Sequence, residues 1–151
     1  MIIETSAWGS KEITVEQIYR FEKGIPGFED ETEFALLPME DGPFFYLQSL
    51  KQGALSFLLT DPFIFFPAYE FELGTGDAAE LGIGEHIFVR CIVTLHEEIE
   101  QSSMNILAPI VFNPSNRKSK QVVLHNSAYQ TRYPLWAADT TQESASIEGG
   151  L

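Results

Sequence analysis

One cysteine, nine basic residues and three histidines are all that this 151-residue chain carries of the side chains most used for disulfides, phosphate binding and metal ligation. A single thiol cannot close an internal disulfide, and Cys91 lies inside the apolar segment IFVRCIVTL, where it reads as a small core residue. Nine Lys and Arg against 22 Asp and Glu give a formal charge of -13, a field that repels phosphate backbones, so no direct nucleic-acid binding is expected. The longest apolar run, counting prolines, is Pro62 to Tyr69, eight residues against the ~20 that a membrane helix needs. The first residues lack the basic-then-apolar order of a secretory leader, which predicts a cytoplasmic protein with no membrane contact.

Motifs of catalysis are missing as well. There is no Gly-x-Ser-x-Gly elbow, no P-loop and no dinucleotide glycine fingerprint. His86, His96 and His125 stand at no metal-helix spacing, and His96-Glu97-Glu98 lacks the second histidine that a zinc-protease helix requires. Glu97, Glu98 and Glu100 form either an acid pair in a cleft or a solvated loop. The expectation is a protein without enzymatic activity, metal or cofactor.

What the chain does have is alternation, repeated in short segments separated by Gly, Pro, Asn and Asp. Strands are predicted at Ile2–Thr5, Glu12–Val15, Ile18–Phe21, Glu33–Leu37, Phe44–Leu50, Ala54–Thr60, Tyr69–Leu73, His86–Leu95, Asn105–Asn113 and Gln121–His125. Their number and spacing imply a mostly all-β fold, a small β-barrel-like domain of short antiparallel strands over residues 1–136. Gly53 suits a short hairpin loop between Leu50 and Ala54, and the polar turn from Asn113 to Lys120 predicts a second hairpin over residues 105–125. Helix is scarce. Asp77 could cap one turn through Leu81 that Gly82 ends, and Thr14 with Gln17 forms a capping box that leaves residues 14–21 open between strand and helix. From Ala137 onward the chain is small and polar, which predicts a disordered tail over residues 137–151.

Two stretches stand out as candidate surfaces. In DPFIFFPAYEFEL, residues 61–73, Tyr69, Phe71 and Leu73 share one face of an extended chain, and Glu70 and Glu72 share the other. Phe63, Ile64, Phe65 and Phe66 are apolar on both faces, and Pro62 and Pro67 cannot donate ladder hydrogen bonds, so this half reads as an edge, bulge or corner. Either these aromatics bury one another over the barrel mouth, or they form a docking rim beside Glu70 and Glu72. In GIPGFEDETEF, residues 24–34, Gly24 and Gly27 flank Pro26 in a rigid turn, and Glu29, Asp30, Glu31 and Glu33 follow as an exposed acidic patch open to a basic partner. Charge is uneven along the chain: residues 1–104 hold 19 acids and 5 bases, and residues 105–136 hold no acid and 4 bases. Arg117, Lys118 and Lys120 in the second stretch could therefore serve a different contact.

Taken together, GIPGFEDETEFALLPME, PFFYLQSL, FLLTDPFIFFPAYEFEL and NILAPIVFNPSNRKSKQVVLHNSAYQTRYPL resemble the FliW family of flagellar assembly factors, in order, over roughly Ile2 to Leu135. The resemblance implies a small, non-enzymatic β-barrel-like regulator of the bacterial cytoplasm. Its implied partners are flagellin awaiting export and, when flagellin is absent, CsrA, the RNA-binding translational repressor whose hold on flagellin mRNA such proteins antagonise. No family motif assigns the contacts, so the partner-binding expectation rests on Phe63, Phe65, Glu70 and Glu72 with Glu29, Asp30, Glu31 and Glu33. For flagellin, the apolar patch would come either from Phe63 to Phe66 or from the strand Ile106 to Phe112. Two other classes stay open on residues alone: a small-molecule-binding barrel and a metal-dependent enzyme.

Overall fold

Alternating apolar side chains become strands when one face finds a core to cover. In the computed structural model, which describes residues 1–40, 42–82, 86–125 and 127–136, that pattern yields eleven strands among the described residues. β1 (Ile2–Thr5) and β2 (Gly9–Glu12) form an antiparallel hairpin. A short 3-10 turn, Val15–Gln17, follows, in which the Thr14 amide donates to Gln17 Oε1 at 2.9 Å. β3 (Ile18–Arg20), β4 (Glu33–Pro38), β5 (Phe44–Ser49) and β6 (Ser56–Thr60) run as an antiparallel meander. Two short helices, α1 (Pro62–Phe65) and α2 (Thr75–Leu81), precede β7 (Phe88–Thr94). A second 3-10 turn, Ile99–Gln101, leads to β8 (Ser103–Met104), β9 (Ile110–Asn113), β10 (Lys118–Gln121) and β11 (Tyr133–Pro134).

Seven of these strands close into a barrel in the order β7-β6-β5-β4-β3-β10-β9, with β9 returning to β7. One contact in the ring is parallel, Lys118 beside Arg20. Inside lie Phe21, Phe34, Leu47, Leu59, Ile110 and Phe112, all at 0% exposure, so the lumen is packed with side chains. Phe112 meets Tyr19 edge-on at 5.0 Å and stacks on Phe88 at 5.0 Å, geometry that ring quadrupoles favour.

Strand faces that point outward are covered by two further layers. The β1–β2 hairpin lays Ile3 and Ile13 over Ala35 and Leu37. Residues 61–82 and 127–136 cover the outer face of β7 and β9, where Tyr69, Leu81 and Leu135 pack with Val89, Cys91, Val93 and Val111.

Several expected strands shift or dissolve. Glu12–Val15 is not one strand: β2 ends at Glu12 and Val15 opens the 3-10 turn. Residues 50–55 form a longer hairpin loop than Gly53 suggested, because β5 stops at Ser49 and β6 starts at Ser56. The segments expected at Asn105–Asn113 and Gln121–His125 are strand only at Ile110–Asn113 and Lys118–Gln121, since Asn105 Oδ1 takes the amides of Leu107 and Ala108 and bends the chain there. Tyr69–Leu73 keeps its alternation of burial yet joins no ladder. α2 begins at Thr75 with Gly74 as its N-cap, so Asp77 is not the cap, while Gly82 does end it in the left-handed region at φ 62°. The tail expected over residues 137–151 lies outside the described residues.

The acidic turn owes its shape to two constraints. Gly24 has φ +68°, and a Cβ there would stand 2.6 Å from Glu29 Cα and from the Phe28 carbonyl oxygen. Glu31, expected on the exposed patch, is 3% exposed. Its carboxylate accepts from Ser49 Oγ at 2.6 Å and from Gln52 Nε2 at 2.6 Å, which ties the turn to the end of β5. The Ser49 hydroxyl, helped by Gln52 and Lys51, holds the Glu31 carboxyl below its ordinary range against the opposing effect of burial.

Gly24→Ala should lower stability by about 3 kcal/mol or more and Gly27→Ala by only about 1 kcal/mol, because both need a left-handed backbone but only Gly24 has no room. Urea unfolding midpoints check this, and equal losses would contradict it. Glu31 gives a second test. Its folded pKa is lowered, so its contribution is full above the ordinary glutamate value and is lost as pH falls through the folded value. The stability gap between the wild type and Glu31→Gln should therefore be widest near neutrality and close on acidification.

Candidate protein-docking surface

Asp61, Pro62 and Pro67 shape the aromatic stretch. The Asp61 carboxylate accepts from the Phe63 amide at 3.0 Å, Pro62 occupies the first helical turn, and the Phe66 amide donates to the Pro62 carbonyl at 2.9 Å. The result is one helical turn, so the side chains do not follow the period of two expected for an edge strand. Phe63 and Ile64 project outward, 41% and 56% exposed. Phe65 and Phe66 turn inward and are half-buried: Phe65 lies 6.1 Å from Phe44 and 6.2 Å from Trp136, and Phe66 stacks on Tyr133 at 4.8 Å. The stretch thus divides, two side chains exposed and two packed against the layer beneath.

Beyond Pro67, Tyr69 is the anchor. Its hydroxyl donates to the Ile106 carbonyl at 2.7 Å in a buried site, and burial pushes its pKa up. Phe63 sits 5.7 Å from the Tyr69 ring, and Glu70 and Glu72 point to solvent. A cleft of about 360 Å³ opens beside them, lined by Phe63, Tyr69, Phe71, Leu73 and Ile87 among others. On the other side of the segment a second cleft, about 410 Å³, runs between Glu70, Glu72 and Asp77 and the chain at Val122 to His125. Tyr129 stands in that second cleft and brackets Glu70, its Oη accepting from the Glu70 amide at 3.2 Å and donating to the Glu70 carbonyl at 2.7 Å.

Phe63, Glu70 and Glu72 therefore come together, with Phe65 directed into the layer beneath them. The acidic turn belongs elsewhere on the barrel, because Phe28 contacts Phe57 of β6 at 5.5 Å and Glu31 is bonded to Ser49 of β5. Glu29, Asp30 and Glu33 are exposed there. Glu29 takes the Gly27 amide at 3.0 Å, which lowers its carboxyl pKa, and Glu33 pairs loosely with Arg20 at 3.6 Å.

Basic residues 117–120 are occupied within the fold. Arg117 stacks over the Tyr19 ring at 4.0 Å and donates to the Ile18 carbonyl. Lys118 meets Glu22 at 3.6 Å, and Lys120 bridges Asp77 at 2.6 Å and Glu80 at 2.7 Å, pinning α2 to β10. Partial burial works against the Lys120 charge, but Asp77 and Glu80 outweigh it and raise its pKa. Asn113 and Asn116 finish the clamp by donating to the Leu81 carbonyl at the end of α2. Among the described residues no group of three His, Cys, Asp or Glu is placed to hold a metal, and burial pushes the Cys91 thiol up to about 12. The candidate patch Ile106 to Phe112 is closed to partners, since Ile106, Ile110, Val111 and Phe112 are buried. Ile87 and Tyr129 were not foreseeable as parts of the surface. Each reaches it from a distant segment, and nothing in its own neighbourhood marks it.

The family model described as "FliW protein" matches residues 2–135. The chain is 46% identical over 138 residues to the flagellar assembly factor FliW of Bacillus subtilis (strain 168), an alignment covering 89% of this chain and 96% of that protein. It is 43% identical over 155 residues to the protein of the same name from Desulfitobacterium hafniense (strain DSM 10664 / DCB-2), covering 99% of each. A solved structure titled "Crystal structure of the flagellar assembly factor FliW" superposes with a TM-score of 0.87 at 38% identity, covering 92% of this chain and 99% of that one. With this match along nearly its whole length, in sequence and in barrel architecture, the chain belongs to the FliW family.

Proposed function

We propose that this protein acts in flagellar assembly as a non-enzymatic, cytoplasmic partner switch. It binds flagellin and, when free of flagellin, binds CsrA and relieves repression of flagellin mRNA translation. The observation that carries this reading is the placement of exposed Phe63 and Glu70 on one cleft, with exposed Ile64 and Glu72 near them along the chain, over an otherwise closed barrel. Apolar anchors beside a charged rim suit protein recognition. A formal charge of -13 steers a basic RNA-binding protein toward this chain and repels its RNA, which supports antagonism without any nucleic-acid contact.

Roles within the surface follow from chemistry. Glu70 and Glu72 meet the basic partner, and Phe63 and Ile64 receive an apolar terminal segment of unassembled flagellin. Because these groups abut, occupancy by one partner obstructs the other, and each lowers the other's apparent affinity by linkage. Glu29, Asp30 and Glu33 contribute to long-range attraction from another part of the barrel. A ligand-binding barrel is disfavoured by the filled lumen, where Phe21, Phe34 and Phe112 leave no exposure.

Replacing Glu70 and Glu72 together by Lys should weaken CsrA binding at least tenfold and leave the circular dichroism spectrum unchanged, since both side chains are exposed. Unchanged affinity would move the CsrA contact elsewhere. Calorimetry with both partners tests the switch: saturating flagellin should abolish CsrA binding, and a stable ternary complex would refute the shared surface. Phe63→Ser should weaken flagellin binding with little loss of stability, because Phe63 is 41% exposed already.

A further inference from the structure

Residues 70–73 alternate in burial, the pattern of an extended chain, yet pair with no strand. The backbone of this segment is used at one residue only. Both the amide and the carbonyl of Glu70 are taken by Tyr129 Oη, whereas the amides and carbonyls of Phe71, Glu72 and Leu73 have no hydrogen bond among the described residues. In an extended chain the N–H and C=O of one residue point to the same edge and those of the next residue to the opposite edge. Glu70 therefore directs its pair toward Tyr129 and the cleft of about 410 Å³. By the same alternation Phe71 and Leu73, both on the wall of the cleft of about 360 Å³ that Phe63 and Ile87 border, offer theirs at the opposite edge.

We infer that the cleft of about 360 Å³ is a strand-addition site: an extended segment of a partner protein pairs antiparallel with Phe71 and Leu73. This deepens the reading of Glu70 and Glu72 as the basic partner's rim and rests on that reading. Occupancy requires a defined pattern. Residues directly opposite each other in an antiparallel pair place their side chains on the same face. Positions facing Phe71 and Leu73 must then be apolar and compact, to lie over Phe63, Ile87 and Val89 on the cleft wall. Intervening positions turn outward beside Glu70 and Glu72, neither of which has an ion-pair partner among the described residues, and must be Lys or Arg. The occupant is an apolar–basic alternating strand. Main-chain bonds supply its affinity and the alternation its selectivity.

The probe is an acetylated, fluorescein-labelled heptapeptide of alternating Lys and Val, titrated into the full chain and followed by anisotropy and amide hydrogen exchange. Saturable binding should slow exchange at the Phe71 and Leu73 amides about tenfold or more and leave Glu72 unchanged, since only one edge is engaged. N-methylation of the valine amides should weaken binding about tenfold, while N-methylation of the lysine amides should not, because only the valine residues pair across the edge. Equal binding by the two methylated peptides, or by a block-ordered peptide of the same composition, would reduce the effect to charge attraction and overturn the inference. Absence of protection at Phe71 and Leu73 would do the same. If CsrA binding depends on Glu70 and Glu72 while the heptapeptide fails, strand addition falls and the proposed partner stands. If the heptapeptide protects both amides while charge reversal leaves CsrA affinity intact, strand addition stands and the CsrA assignment falls.

Discussion

Closure of the ring through β9 is the constraint on which the rest of the molecule depends. Its four residues pair with β10 on one side and three of them with β7 on the other, and all four are buried. Ile110 and Phe112 fill the lumen and Val111 reaches the outer layer, so one short strand joins two cores. A barrel closed in this way has no free edge of its own. Extended backbone left unpaired must then come from the segments laid over the barrel, and residues 71–73 are such a place.

The outer layer carries the surface chemistry because it is held less regularly. α1 is a single turn fixed by Asp61 and two prolines, and the 69–73 segment is held by Tyr69 and Tyr129 hydroxyls instead of a ladder. Side-chain hydroxyls fix position without consuming every backbone group. Phe63 and Ile64 are exposed for the same reason, since a four-residue helix cannot turn all its side chains toward one core.

Much of the barrel could be read from alternation alone. β3, β4, β5, β6 and β7 fall where period-two patterning puts them, within a residue or two, because each has one face on the lumen. Residues 69–73, 105–109 and 122–125 share that pattern without being strands, since local alternation reports burial of one face and not a regular ladder: Val122 and Leu124 donate to the Pro109 and Leu107 carbonyls, but the bend at Asn105 interrupts the pairing. α1 was hidden because four consecutive apolar residues between prolines carry no period. Of the surface, Phe63, Glu70 and Glu72 were legible from the switch at Pro67, whereas Ile87 and Tyr129 arrive through tertiary contacts. Glu31 was misplaced for the same reason: a glutamate in an acidic run looks solvated until Ser49 and Gln52, 18 and 21 residues later, supply its hydrogen bonds.

The lysine bridge from β10 to α2 has a consequence for how this protein responds to its solution. Lys120 with Asp77 and Glu80, and Lys23 with Glu80, hold a helix next to the cleft that Glu72 and Asp77 help to line. Added salt would screen attraction between the acidic rim and the basic partner proposed for it, and it also relaxes the part-exposed pairs that keep α2 in place. A salt series therefore reads two quantities at once, the field between molecules and the seating of a helix within one. Only a comparison in which the Lys120 bridge is neutralised separately from Glu70 and Glu72 gives the slope of the encounter itself.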